Sequence, residues 1–237
     1  MSFTVASILT EVAVTLNDGN FVRWPRAELL GWVNQAVRDI AIAKPSATGK
    51  TIEVELQRGT LQSLPEGYHQ LLQVNRNLVA RDDAPGGRAG GKVITPASRI
   101  DIDSFVPNWH DPSYLPYNQM VAHVVDHDSD PSAFFVVPGN DGTGVIEVVA
   151  SALPAPLAIP SNPTSTDSYS MVVPVPDAYR NAVYDFVLAK AFGKDINLPG
   201  AAARAQAHLA LFQQALGIKA TNEATSNVNS PTTRFNR

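Results

Sequence analysis

Apolar residues in the first 45 positions recur at intervals of three and four. Val5, Ile8, Leu9, Val12 and Leu16 form one stripe, which the turn formers Asn17-Asp18-Gly19-Asn20 bring to an end. A second stripe of Leu29, Leu30, Val33, Val37 and Ile40 follows Trp24-Pro25, where proline suits a first helical turn because it has no amide hydrogen to satisfy. Lys44-Pro45 closes it, since the proline ring pushes its neighbour out of helical geometry. The pattern predicts two helices.

From residue 49 the period shortens to two. Ile52, Val54 and Leu56 alternate with Thr51, Glu53, Glu55 and Gln57, which is strand patterning. Further apolar segments at Leu71–Val79, Val93–Ile102, Met120–Val125, Phe134–Val137 and Val145–Val149 are punctuated by proline and glycine. The run Pro138-Gly139-Asn140-Asp141-Gly142-Thr143-Gly144 is rich in residues that accept positive φ and is expected to be a hairpin connection. An antiparallel sheet or small sandwich is expected.

A Pro- and Ser-rich passage from Pro154 to Ser170 is expected to run as an exposed loop back to helical sequence. There Tyr179, Ala182, Val183, Phe186 and Lys190 share one side of a third helix that opens near Pro176-Asp177 and stops near Gly193. A fourth helix, Ala201–Leu216, places Ala205, Leu209, Phe212 and Leu216 inward, with Gly217 as its C-terminal cap. Each helical pair alone would leave its stripe half exposed, so the pairs are expected to meet. The fold class that follows is α+β: a four-helix bundle built from the N- and C-terminal helix pairs, with an inserted antiparallel β domain and an extended C-terminal tail. The expected division is residues 1–47 for the first helical pair, 48–172 for the β domain, 173–217 for the second pair and 218–237 for the tail.

Composition narrows the function. At 237 residues and 44% hydrophobic content the chain can bury a substantial core. A net charge of −4 supplies no broad basic field to condense the protein on nucleic acid, so sequence-reading of DNA is not expected. The absence of cysteine excludes disulfides, thiolate metal sites and a cysteine nucleophile. Met1–Thr4 lacks a basic leader segment and no apolar run approaches the ~20 residues that span a bilayer, so a cytosolic protein with no membrane partner is expected.

Chemical motifs fail one by one. Gly49-Lys50-Thr51 ends like a phosphate loop, but Lys44 stands where the leading glycine belongs, and a helix precedes where a strand should. Gly86-Gly87-Arg88-Ala89-Gly90-Gly91 has no strand leading through it into a helix and reads as a mobile loop. Asp126, Asp128 and Asp130 have the spacing of a calcium loop, yet Pro131 and Val137 occupy the glycine and glutamate places. No Gly-x-Ser-x-Gly occurs, and Asp101, Asp103 and Asp111 cluster around turns, where aspartates serve as caps. Two minority readings remain. His110, His123 and His127 would form a metal site if they converged, giving a metal-assisted hydrolase. Trp109 with Tyr114 and Tyr117 would bind carbohydrate or another ligand if exposed, but with Phe105 they are read first as a plug under the β domain.

Two stretches carry a resemblance. Trp24-Pro25-Arg26-Ala27-Glu28-Leu29-Leu30-Gly31-Trp32-Val33-Asn34-Gln35-Ala36, followed by Leu64-Pro65-Glu66-Gly67-Tyr68, resembles the opening of head-to-tail adaptor (connector) proteins of short-tailed bacteriophages. Val175-Pro176-Asp177-Ala178-Tyr179, leading through Ala182–Ala191 to Ala201-Ala202-Ala203-Arg204-Ala205, is similar to that family's closing helical pair. The resemblance implies a structural virion protein with no enzymatic activity and no cofactor. It implies a homo-oligomeric ring of twelve copies between the portal protein and the tail or nozzle protein, with packaged double-stranded DNA passing through and retained without sequence recognition. Its place would be the virion neck, after assembly in the host cytoplasm. The tail residues Arg234, Phe235 and Arg237 are expected to dock in a portal groove, with the ring as anchor and the arginines on acidic rims.

Overall fold

A computed structural model describes residues 2–80, 82, 84–195 and 198–226. The chain forms two compact units, Met1–Ala47 with Pro154–Arg237, and Thr48–Leu153.

In the first unit, α1 (Val5–Thr15) and α2 (Arg26–Ala43) come from the N-terminal segment, and α4 (Arg180–Lys194) and α5 (Ala201–Ser226) from the C-terminal one. Thr4 caps α1 by accepting the Ser7 amide hydrogen, and Asn17 adopts positive φ where the chain turns away. The predicted stripes meet in one core: Ile8, Leu9 and Val12 of α1, Leu29, Leu30, Val33 and Ile40 of α2, Val183, Phe186 and Val187 of α4, and Phe212 and Leu216 of α5. α4 is the helix that the other three share. Phe186 meets Phe212 edge to face at 5.0 Å between ring centroids, a favoured aromatic geometry.

Polar contacts around this core join segments far apart in sequence. Arg180 pairs with Glu11, Lys194 with Glu28 and Arg23 with Asp195, while the Thr15 and Tyr184 hydroxyls lie 2.6 Å apart. Apolar burial supplies most of the attraction and these contacts set which residues face each other.

Three sequence expectations change here. The passage from Pro154 to Ser170 is not simply an exposed loop. The Asn34 carboxamide accepts the Leu157 amide hydrogen at 2.9 Å and donates to its carbonyl at 3.0 Å, and Tyr169 is fully buried in the helical core. Gly217 does not cap α5, which continues to Ser226, so residues 218–226 are helical and not extended tail. Nor is Leu209 inward; it is exposed, and Phe212 and Leu216 carry the contact.

The second unit is a sandwich. One sheet runs β1 (Gly49–Glu55), β8 (Val145–Ala152), β3 (Tyr68–Ala80), β4 (Arg88–Val93); the other runs β2 (Gly59–Ser63), β7 (Ala133–Asn140), β6 (His123–Asp126), β5 (Thr95–Pro96). All pairings are antiparallel except β5 with β6. Val54, Val74, Ile146 and Val148 of the first sheet share a core with Val124, Phe134 and Val136 of the second. On β7 the alternate residues Phe135 and Val137 face the other way, into a smaller cluster around Trp109. That strand is covered on both faces, which is why Phe134–Val137 reads as an unbroken apolar run.

Three further expectations are corrected. Pro138–Gly144 is not a hairpin, because β7 and β8 belong to different sheets. Asn140 holds this corner: its carboxamide donates to the Asn118 and Gln119 carbonyls and accepts the Gly142 and Gly144 amide hydrogens. A Cβ on Gly144 would lie 2.3 Å from both the Asn140 amide nitrogen and the Gln119 carbonyl oxygen, so only glycine fits. The segment Val93–Ile102 is not one strand; it ends β4, forms β5 and enters a short helix, α3 (Arg99–Phe105). Residues Arg88–Gly91, expected in a mobile loop, lie in β4.

Candidate docking faces

The outer surface of the second sheet is roofed by α3 and the loop after it. Ile102, Val106, Trp109 and Leu115 pack down on Val125, Phe135 and Val137. Trp109 is 0% exposed and its Nε1–H donates to Asp103 Oδ1 at 2.8 Å. The plug reading of this segment therefore holds for Trp109, and the indole has no open face on which a sugar ring could stack. Phe135 is the hub of the roof: Trp109 meets it edge-on at 5.7 Å, His127 stacks on it at 5.5 Å, and the Arg99 guanidinium lies over it at 5.5 Å.

The three histidines are held separately. His110 Nδ1 lies 2.7 Å from the Thr60 hydroxyl, and His123 Nδ1 lies 2.8 Å from the Thr95 hydroxyl. His127 Nδ1 accepts the Ser129 and Asp130 amide hydrogens, fixing a turn. Among the described residues no group of three His, Cys, Asp or Glu is placed to hold a metal ion. Burial pushes the His110 imidazole below its usual range, with Arg99 adding to the effect and Asp103 opposing it.

The aspartates are occupied in capping and pairing. Asp111 accepts from the Ser113 hydroxyl and amide, Asp130 from those of Ser132, and Asp141 from those of Thr143, which holds all three carboxyls below the ordinary range. Arg99 pairs with Asp103 and Asp128. These arrangements order turns; they present no acid-base couple to a reacting atom.

The roof nevertheless shows large apolar groups to solvent. Ile100 is 77% exposed, Phe105 83% and Tyr114 57%, and no residue of α3 is buried. Composition alone does not reveal this face, because nothing local marks which aromatics of the segment turn inward. Across the sandwich, the outer face of the first sheet carries Glu53, Glu55, Glu147, Arg76 and Arg88, tied by Arg88–Glu53, Arg88–Glu55 and Arg76–Glu147 pairs. In the helical unit, α5 presents exposed Ala, Gln and Leu positions on the side away from Phe212 and Leu216. Arg234, Phe235 and Arg237 lie outside the described residues. Among the described residues no helix is long and apolar enough to cross a membrane.

Exposed apolar side chains on an ordered support, as at Ile100, Phe105 and Tyr114, are candidates for docking to a macromolecule. Comparison with known proteins agrees with that reading: a family model described as SU10 adaptor protein matches residues 3–234. No curated protein matches the chain.

Proposed function

The chain belongs to the SU10 adaptor family of phage head-to-tail adaptor proteins, and from that premise we propose that it acts as a closed ring seated between portal and tail. As a family member it is a non-catalytic structural protein of the virion head-to-tail region, with portal and tail components as its neighbours. The finer reading is a ring of twelve copies, stacked between the portal protein and the tail or nozzle protein, through whose lumen packaged double-stranded DNA passes and behind which it is retained.

The observation that carries this reading is the family match over nearly the whole chain, both helical pairs and the β unit included. Charge supports the conduit role. A wall that neutralised many phosphates would bind duplex tightly and release it slowly, whereas a chain of net charge −4 has little such capacity. A ring contact is heterologous, joining one patch of a protomer to a different patch of the next, and a two-unit chain has distinct patches to offer. Arg234, Phe235 and Arg237 are proposed to engage the portal, with order gained on docking. Assembly in the host cytoplasm, with protomers closing into a ring on the portal, would couple oligomerisation to docking.

The test is direct imaging. Purified chain mixed with portal rings of the same virus should add one annular layer with a continuous channel. Portal rings that stay bare, or that gain scattered monomers without closure, would refute the ring.

A further inference from the structure

The α3 roof has an exposed apolar centre and an acidic margin. Phe105 is 83% exposed and Ile100 77%, and Asp101 lies one helical turn from Phe105 on α3. Asp103 is on the same helix, Asp128 is tied to it through Arg99, and Asp111 follows in the loop. All four aspartates are exposed. Four carboxylates thus stand against one guanidinium, and residues 97–130 contain no other lysine or arginine. The outer face of the first sheet differs, because its Glu53, Glu55 and Glu147 are already matched by Arg76 and Arg88. The roof alone is short of cations.

The chain holds the complement in its own sequence. Eleven residues follow Ser226, Asn227 to Arg237, with two arginines, no acidic side chain and one aromatic, Phe235. Arg234-Phe235-Asn236-Arg237 is an apolar anchor between two cations, the inverse of an apolar centre flanked by carboxylates. Docking one on the other takes Phe105 and Phe235 out of water together, and the charges fix the direction. Fully extended, a segment of this length reaches about 36 Å. So small a contact is weak between separate molecules at micromolar concentration, whereas a tethered segment meets its own chain at an effective concentration near millimolar. The tether favours the chain's own segment over that of a second copy.

We propose that, before the chain meets the portal, its C-terminal segment lies on the α3 roof, with Phe235 against Phe105 and Ile100 and with Arg234 and Arg237 at Asp101 and Asp128. The portal then takes the same segment by displacing it, so that attachment uncovers the α3 face. This second step rests on the portal reading above; the first stands without it.

Disulfide trapping in the full chain tests both steps, because the chain has no cysteine of its own. Ser104→Cys sits beside Phe105, where the serine hydroxyl bonds back to the Ile100 carbonyl, and Asn236→Cys sits beside Phe235, so both aromatic anchors are kept. This pair should close an intramolecular disulfide about tenfold faster than Val93→Cys with Asn236→Cys, whose first site is 61% exposed on the first sheet. Asp101→Lys should slow closure about tenfold, and adding Arg234→Asp and Arg237→Asp should restore it. Portal rings of the same virus should slow closure to the rate of the Val93→Cys control. Closure no faster than that control, unaffected by Asp101→Lys, or left slow by the arginine reversals, would overturn the roof contact. Disulfides formed equally fast between separate Ser104→Cys and Asn236→Cys chains would overturn it in favour of a second copy. Portal rings that bind the chain yet leave closure unchanged would overturn the displacement. Portal rings that bind no chain would sink the portal reading and leave the roof contact standing.

Discussion

Asn77 and Val121 form a reciprocal pair across the sandwich: the Asn77 Nδ2 donates to the Val121 carbonyl at 2.9 Å, and the Val121 amide hydrogen is accepted by Asn77 Oδ1 at 2.9 Å. Nδ2 also donates to the Lys92 carbonyl at 2.9 Å. Asn77 is buried, so this carboxamide replaces water for three backbone groups at the place where the chain passes from one sheet to the other. Removing it by Asn77→Leu strands all three. The expected loss is about 2–4 kcal/mol, read as a fall in thermal midpoint of about 5–12 °C.

Gly144 is bound to the same logic at the β7–β8 corner. A methyl group there would press on the Gln119 carbonyl, a backbone atom that no rotamer change can move aside. Gly144→Ala should cost about 1–3 kcal/mol by chemical denaturation, whereas Gly19→Ala, where nothing lies within 4 Å, should leave the midpoint close to wild type.

Trp109 and Tyr114 share one loop and should behave in opposite ways. Trp109→Ala empties a fully buried site and removes the hydrogen bond to Asp103, at about 3–5 kcal/mol. Tyr114→Ala should change stability by no more than about 0.5 kcal/mol. Equal effects in urea unfolding would contradict the assignment of one as plug and the other as surface.

His110 makes stability depend on pH. Its imidazole is held below the usual value of 6.5 in the folded chain, so across the window from 6.5 down to that lowered value the unfolded chain binds more protons than the folded one. This contribution is fully present above pH 6.5 and is lost as the pH falls below it. His110→Asn, which keeps a hydrogen-bonding group for the Thr60 hydroxyl, should flatten the decline of unfolding free energy between pH 6.5 and pH 5.

The C-terminal segment follows α5, which extends to Ser226. Deleting residues 227–237 removes Arg234, Phe235 and Arg237 and should leave thermal stability unchanged. Portal attachment, measured by co-sedimentation, should fall about tenfold or more. Undiminished attachment would remove this segment from the portal contact.

The helices were legible because their signal is local. Stripes such as Ile8-Leu9-Val12 and Leu29-Leu30-Val33 repeat at helical spacing and are buried on the side they mark. β2 was not legible because its inward residues are Thr60 and Gln62, whose burial is met by hydrogen bonds; Gln62 alone accepts from Gln57 and donates to two carbonyls. A strand with polar residues inward carries no apolar alternation to read. α3 was hidden for the converse reason, since Ile100 and Ile102 alternate like strand residues, with one facing solvent and the other the roof cluster. At Gly144 the turn formers announced a reversal, but whether the chain pairs with the strand just completed or crosses to the other sheet depends on Asn140 and distant carbonyls. Gly217 misled because a glycine inside a helix costs only about 1 kcal/mol relative to alanine, too little to stop α5. The docking faces were the least legible part: aspartates capping turns and aspartates rimming an interface have the same spelling.

Gly49 and Ser151 are register partners at the start of β1 and the end of β8, so residues 49–151 leave and rejoin the chain at neighbouring points. A β1–β8 ladder, once zipped, reduces the separation between Ala47 and Pro154 from more than a hundred links to a few, and with it most of the loop entropy that would otherwise oppose the meeting of the two helical pairs. The sandwich is thus a cassette whose own closure brings its flanks together, and exchanging it for a short glycine-rich bridge should leave a bundle that still forms.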